Sequence, residues 1–315
     1  MIASNATNFG FTQLRTKPVT PEERIAAKRI SRIMRAARKQ LALTQEAVAN
    51  RLGISQSALS KLEHGSLIPS APQWFDFCKF TQISTDSLVS GFIERNTPAV
   101  IEEGLRKGTF KIPKRYAFHR GTKARALLPF FTFMEETMGE KKMAEYFKQV
   151  KVDADFFIDL DNQINIEFAL DIARHLFKEG HLTPTTVGKL TQSVSQPRMH
   201  GSLHERYDLL KDRTQRLESF VGNSRLYDCN FRYKIEDKTL KHVDVSVTPE
   251  QHMEMVSYRN DPVLGDFVCE YNKSFLENFM VYGVSDAQSA KPNVESLECI
   301  LQGKSRCLYR VPLAG

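Results

Sequence analysis

Apolar residues recur at helical spacing through the first part of the chain. Ile25, Ile30, Ile33, Met34 and Ala37 predict an amphipathic helix that opens at Pro21, with Glu22 and Glu23 in its first turn. Thr44 is placed to cap a second helix whose inward face is Val48, Ala49 and Leu52, and Gly53 permits a tight left-handed turn after it. Ser55 then caps a third, short helix. At about 100° per residue, its Gln56, Ser57, Ser60 and Lys61 span an arc of about 140°, while Ala58, Leu59 and Leu62 point the other way. One face packs and the other is free to read something. Gly65 stops this helix, Pro69 and Pro72 punctuate a loop, and Trp74, Phe77, Cys78 and Phe80 start another apolar-faced helix, with Cys78 in the core; the stretch 84–91 closes the unit.

The pattern then loosens. Residues 94–116 carry Pro98, Gly104, Gly108 and Pro113 with weak periodicity, which predicts a hinge followed by an extended segment. Residues 122–195 read as mainly helical: Leu127, Leu128, Phe131, Met134 and Met138 form one stripe, and Phe168, Ile172, His175 and Leu176 another. Both stripes read as core rather than as a cofactor box. Phe231, Tyr233 and Ile235 alternate, as do Val243, Val245 and Val247, which predicts a hairpin turning at Glu236-Asp237-Lys238. A helix with Phe267, Tyr271, Phe275, Leu276 and Phe279 follows Pro262. The second part of the chain is therefore expected to be α+β.

Composition narrows the function classes. The 315 residues are 41% hydrophobic and 26% charged, close to ordinary globular usage, which excludes wholesale disorder. Apolar runs such as 127–133 fall far short of the ~20 residues a membrane span needs, and the first residues lack a secretory apolar stretch. The expected location is the cytoplasm, with no membrane partner. Five cysteines, an odd number, read as reduced thiols rather than a disulfide framework. Residues 1–92 hold 12 Lys/Arg against 6 Asp/Glu, whereas the remainder holds 32 against 31. A basic head on an electroneutral body points to a polyanion-binding module joined to a unit with another task.

The run from Leu43 through Gly65, with the helices up to Gly91, resembles the Cro/repressor (xenobiotic-response-element type) helix-turn-helix family. The matching features are Thr44-Gln45, Ala49, Gly53, Ile54-Ser55, Ser60-Lys61-Leu62-Glu63 and Gly65. The resemblance implies a five-helix domain that binds double-stranded DNA, with the second helix of the pair in the major groove and its partner across the backbone. It implies that Gln56, Ser57, Ser60 and Lys61 face bases or nearby phosphates, with Ser55 at the start of the same helix, and that Gln45 contacts phosphate. Gln56 suits a bidentate pair with adenine; Lys61 suits guanine O6/N7 or a phosphate.

The last segment carries the second chemical signal. An antiparallel hairpin centred on Gly303 would set Cys299 opposite Cys307, close enough for two thiolates to share one Zn²⁺, and Cys269 on the preceding helix is a third candidate ligand. Taken alone, the residues favour two packed thiols and an unrelated third. VCEYNKSFLENFMVYG followed by VESLECILQGKSRCLYRV resembles the end of the 4-vinyl reductase-type sensor domain, a ligand-binding α+β fold found in aromatic-responsive regulators. The likeness is clear over about residues 263–312 and looser back to about 105. It implies zinc on Cys269, Cys299 and Cys307, with an acid three positions before the middle cysteine. That place holds Ser296, which leaves Glu295, Glu298, a water or no zinc at all. His200 and His204 stand at helical spacing, but Gly201 interrupts them and they are expected on the surface. The chain has no Gly-rich phosphate loop, nucleophile elbow or dinucleotide fingerprint.

Together these readings predict a multidomain protein: an all-α helix-turn-helix head followed by an α+β sensor-like domain. The expected limits are a mobile arm at 1–20, a DNA-binding head at 21–95, a hinge at 96–116 and a regulatory body at 117–315. The expected function is a non-enzymatic, homodimeric transcription regulator whose body senses a small apolar ligand. Its rivals are a peptide- or protein-responsive regulator with a protein-interaction body, against which stands the lack of a 34-residue period, and a DNA-tethered zinc enzyme.

Overall fold

The computed structural model describes residues 20–93, 110–201, 203–210, 212–255, 258, 261–284 and 291–313. The expected arm, except for Thr20, and most of the expected hinge lie outside these residues. The first helix, α1 (Pro21–Gln40), begins at a capping box in which Thr20 Oγ1 accepts from Glu23 N and the Glu23 carboxylate accepts from Thr20 N. Then come α2 (Gln45–Leu52), α3 (Gln56–Glu63), α4 (Ala71–Thr81) and the single turn α5 (Ser87–Ser90). Ile33, Met34, Val48, Leu59 and Phe77 make the head's core with Cys78, as the apolar spacing predicts. Ile25 does not join it. It is 62% exposed, because position 25 lies off the stripe that runs through Ile30, Ile33, Met34 and Ala37.

The body begins with α6 (Lys114–Ala117), which drops Tyr116 into the core, and β1 (Thr122–Lys123). The long helix α7 (Ala124–Val150) changes direction at Gly139, whose φ of 80° is not helical, and tolerates Pro129 within its first two turns. A 3₁₀ turn (Ala154–Ile158), β2 (Gln163–Ile164) and α8 (Glu167–Lys178) follow. Short helices α9 (Val187–Leu190), α10 (Leu203–Asp208) and α11 (Arg213–Gly222) lead to the main sheet. That sheet comprises β3 (Phe231–Lys238), β4 (His242–Pro249), β5 (Glu295–Glu298) and β6 (Cys307–Pro312), antiparallel in the order β3-β4-β6-β5. The helix α12 (Pro262–Met280) packs across it.

Tyr233 pairs with Val247 and Ile235 with Val245, so the alternation places the β3/β4 hairpin as expected. Its turn falls at 239–241 rather than 236–238: a bulge at Glu236 carries β3 on to Lys238. The expected final hairpin is also corrected. Glu298 pairs with Leu308 and Ser296 with Tyr309, and Cys299 leaves the sheet to cap a 3₁₀ turn (Ile300–Gln302), so it does not face Cys307 across the ladder.

Head and body are packed together. Ile158 of the body's 3₁₀ turn enters the head's core, and Ile93 N donates to Ile158 O at 2.8 Å. Arg35 grips Asp155 with two hydrogen bonds of 2.5 and 2.8 Å, Lys39 reaches Asp153 and Asp155 at 2.7 and 2.9 Å, and Gln40 bonds the Asn162 side chain at 3.1 Å. Burial opposes ionisation of Asp155, but the hydrogen bonds and charges of Arg35 and Lys39 outweigh it and hold the carboxyl below its ordinary range.

Candidate functional site

In the head, the α2–α3 pair is set by its caps. Thr44 Oγ1 accepts from Ala47 N and Ser55 Oγ from Ala58 N, each at 3.1 Å, and Gly53 turns the chain between the helices with φ 65°. Leu59 and Leu62 are buried, whereas Gln56, Ser57 and Lys61 stand exposed and Ser60 half-buried beside them. Ser55 is exposed, with its hydroxyl oxygen accepting from the helix it caps.

The orientation of α3 is held by Glu63, which is 1% exposed. Its carboxylate takes Arg38 Nε at 2.6 Å and Nη2 at 2.8 Å, and accepts the Gln45 amide at 2.9 Å. Its carbonyl accepts from Arg35 at 2.9 Å. Gln45 is thus positioned at the start of α2 by a buried carboxylate rather than left free. Arg24, Lys28, His64, Gly65 and Ser66 line a shallow cleft at the end of α3. From Arg24 to Lys39, α1 carries seven basic residues and no acid. The structure spreads most of them over three tasks: Arg24 and Lys28 line the cleft, Arg29 and Arg38 bind within the head, and Arg35, Lys39 and again Lys28, through Glu140 of α7, reach the body.

In the body, Cys269, Cys299 and Cys307 do converge. Cys269 Sγ is 3.5 Å from Cys299 Sγ and 4.0 Å from Cys307 Sγ, and all three sulfurs lie within 4.8 Å of one another. Tetrahedral zinc with bonds of about 2.3 Å would space its sulfurs about 3.8 Å apart, so the donor set and its dimensions fit the metal. Hydrogen bonding from Cys269 brings the Cys307 thiol down to about 6, the direction a ligand needs, while its role as donor raises Cys269. Among the described residues no carboxylate or imidazole joins the three sulfurs, and Glu298 is paired with Arg306 at 3.3 Å.

Beside this cluster is a cavity of about 80 Å³ that the sequence did not disclose. Phe130, Phe220, Tyr227, Tyr233, Tyr271 and Phe275 wall it, drawn from α7, α11, the sheet and α12 and from the segment before β3. His200, expected on the surface, is buried at 1% exposure close by. Its ring nitrogens meet Tyr227 Oη at 2.6 Å and Val194 O at 2.7 Å, and loss of solvent brings its pKa down to about 4. Gly201 bends the chain after it with φ 55°, as its residue type suggested.

Residues 34–88 match the helix-turn-helix family, which spans α2, α3 and their packing partners. The head is a Cro/C1-type helix-turn-helix unit, and the match supports a DNA-binding transcription regulator. No curated protein and no solved structure is significantly similar to the chain. No helix among the described residues is long and apolar enough to cross a membrane.

Proposed function

We propose that the protein is a one-component transcription regulator: α3 reads the major groove of DNA, and the body senses a small, largely apolar ligand and passes its state to the head. The observation that carries the first half is the exposed Gln56, Ser57 and Lys61 on a helix otherwise locked by Leu59, Leu62 and Glu63. Gln56 and Lys61 serve base edges, Ser57 and Ser60 bases or nearby phosphates, and Gln45 a phosphate. Ser55 contributes mainly through its cap. Binding should fall steeply with salt as counterions are released. Gln56→Ala should lower affinity for the preferred site by roughly 1–3 kcal/mol and relax base choice at one position. Selection from a random DNA library tests this, and an unchanged consensus refutes the role of Gln56.

The cavity supports the sensing half, and the α1 contacts with Asp153, Asp155 and Asn162 join the body that contains it to the head. A homodimer would place two α3 helices on half-sites about one turn of DNA apart. Zinc on Cys269, Cys299 and Cys307 would tie α12 to the β5–β6 connection and make metal affinity part of folding free energy. Replacing any one of the three by Ser should lower zinc content and melting temperature together, whereas Cys229→Ser, outside the cluster, should alter neither; elemental analysis with calorimetry reads both. The fourth position, without a protein ligand among the described residues, keeps one second reading open: a zinc enzyme tethered to DNA. A water at that position and turnover in a hydrolase substrate screen would favour it.

A further inference from the structure

We propose that the aromatic cavity of the body is a receptor for a small organic ammonium ion, held against the rings and charge-paired with Asp228. The inference rests on the sensor reading and names the ligand's class. The walls come first. Phe130 and Tyr271 lie 5.3 Å apart between ring centroids, Tyr271 and Phe275 6.3 Å, Phe275 and Phe220 5.1 Å, and Phe220 is 5.4 Å from Tyr233 and 5.5 Å from Tyr227. Six rings thus form one connected run lining a single space. Ring faces carry negative potential, and several together are the arrangement that attracts a cation lacking strong hydrogen-bonding needs of its own.

Asp228 lies on the same wall. Its Oδ2 accepts from the Thr122 hydroxyl at 3.2 Å and its Oδ1 from the Asn230 backbone N–H at 2.5 Å. Asn230 in turn donates to Thr122 Oγ1 at 2.7 Å and meets His252 Nε2 at 2.8 Å, so the carboxylate is held at a defined place. The close approach of Gly121, where a Cβ would stand 2.0 Å from Asn230 Oδ1, keeps this network tight. The Asn230 side chain and the Phe231 backbone also hydrogen-bond the carboxylate; these donors are all neutral, and no ion pair between Asp228 and a Lys, Arg or His is found among the described residues. Burial pushes its carboxyl up to about 6, which still leaves it mainly ionised at neutral pH.

Asp228 is half-buried and has no countercharge, and a neutral apolar ligand in the cavity would take away its remaining water without replacing it. An anionic ligand would be repelled. An alkylammonium supplies the missing charge to Asp228 and apolar methyl or methylene groups to the rings. The size is bounded as well: at about 10–15 Å³ per water-sized group, a cavity of about 80 Å³ holds roughly half a dozen such groups.

Tetramethylammonium and tert-butanol have similar shape and differ in charge, which makes them the probes. Calorimetric titration of the full chain, at ionic strength matched with sodium chloride, should show tetramethylammonium binding at least tenfold more tightly. Asp228→Asn should remove that preference and leave tert-butanol affinity unchanged. If that variant unfolds, Phe220→Leu serves instead, and should weaken tetramethylammonium several-fold more than tert-butanol. Binding of tert-butanol with no preference for the cation overturns the ammonium assignment and leaves the sensor reading standing. Binding of neither probe overturns both.

Discussion

The head and the body are held by different kinds of contact. Around α3 the polar links are short in sequence: Arg38 and Glu63 are 25 positions apart, Gln45 and Glu63 are 18, and the caps at Thr44 and Ser55 act over three. In the body Cys269 meets Cys307 across 38 positions, and Thr122 meets Asp228 across 106. The seam between head and body is longer still, with Arg35 and Asp155 separated by 120. A function written in local contacts leaves a spacing pattern along the chain. One assembled from distant contacts does not.

The sharpest way to break the local side of this comparison is at Glu63. Glu63→Ala leaves Arg38, whose side chain is 14% exposed, without its charge partner and releases Gln45. Removing one member of a buried ion pair destabilises by about 3–5 kcal/mol, so the head should melt well below the body. Calorimetry of the full chain should then show two transitions in place of a shared one, together with lost DNA affinity. A stability change under about 1 kcal/mol would mean that α3 is oriented by its apolar face alone.

This difference in contact range explains what the sequence made legible. Thr44, Gly53, Ser55 and Gly65 each answer a local backbone requirement, and the structure uses the first three as caps or turns in the places read from residue type. The stripe through Ile33 and Met34 and the alternation through Val243, Val245 and Val247 are likewise local, and all five residues are buried. The three cysteines were gathered from a simple hairpin and the helix before it, with a resemblance in support, and the hairpin misplaced Cys299, because a bulge between Ser296 and Glu298 shifts its register. The aromatic cavity was invisible because Phe130, Phe220 and Tyr271 read as ordinary core residues until their elements are placed together. His200 read as surface because nothing adjacent announces Tyr227 as its partner. The acidic residues Asp153 and Asp155 gave no sign that they would receive the basic face of α1.

The body's long-range network can be tested through protons. His200 has its pKa lowered from 6.5 to about 4, so the folded body resists a proton that the unfolded chain accepts, and stability falls as pH drops through that window. Asp228 is raised from 3.8 to about 6, so the folded body holds a proton that the unfolded chain has released, and stability rises as pH falls from about 6 to 3.8. The two slopes oppose each other, each amounting to roughly 3 kcal/mol over its window. Asp228→Asn removes only the second. Denaturant unfolding of both proteins should therefore show the wild type gaining roughly 3 kcal/mol relative to the variant between pH 6 and pH 3.8. Parallel curves would show that Asp228 does not titrate in that range.

The smallest expected effect lies at the seam, where the comparison becomes a question of communication. Arg35 and Lys39 are partly solvated, with side chains 31% and 23% exposed, so solvent screens much of their attraction to Asp155. Asp155→Ala should lower stability by about 1–2 kcal/mol. Its more telling result is local: amide exchange should quicken along the end of α1 near Lys39 and Gln40, while α3 keeps its protection through Glu63. In the wild type, Asp155 contributes above its ordinary value of 3.8 and loses its contribution only as pH falls below it. Lys39, raised above its ordinary 10.5, loses its contribution only as pH climbs beyond that. The seam should thus be insensitive to pH from about 4 to 10, whereas His200 and Asp228 respond between 3.8 and 6.5. If Asp155→Ala leaves exchange in α1 unchanged, the packing of Ile158 and Ile93 holds the head by itself, and a signal from the body must travel through that apolar contact.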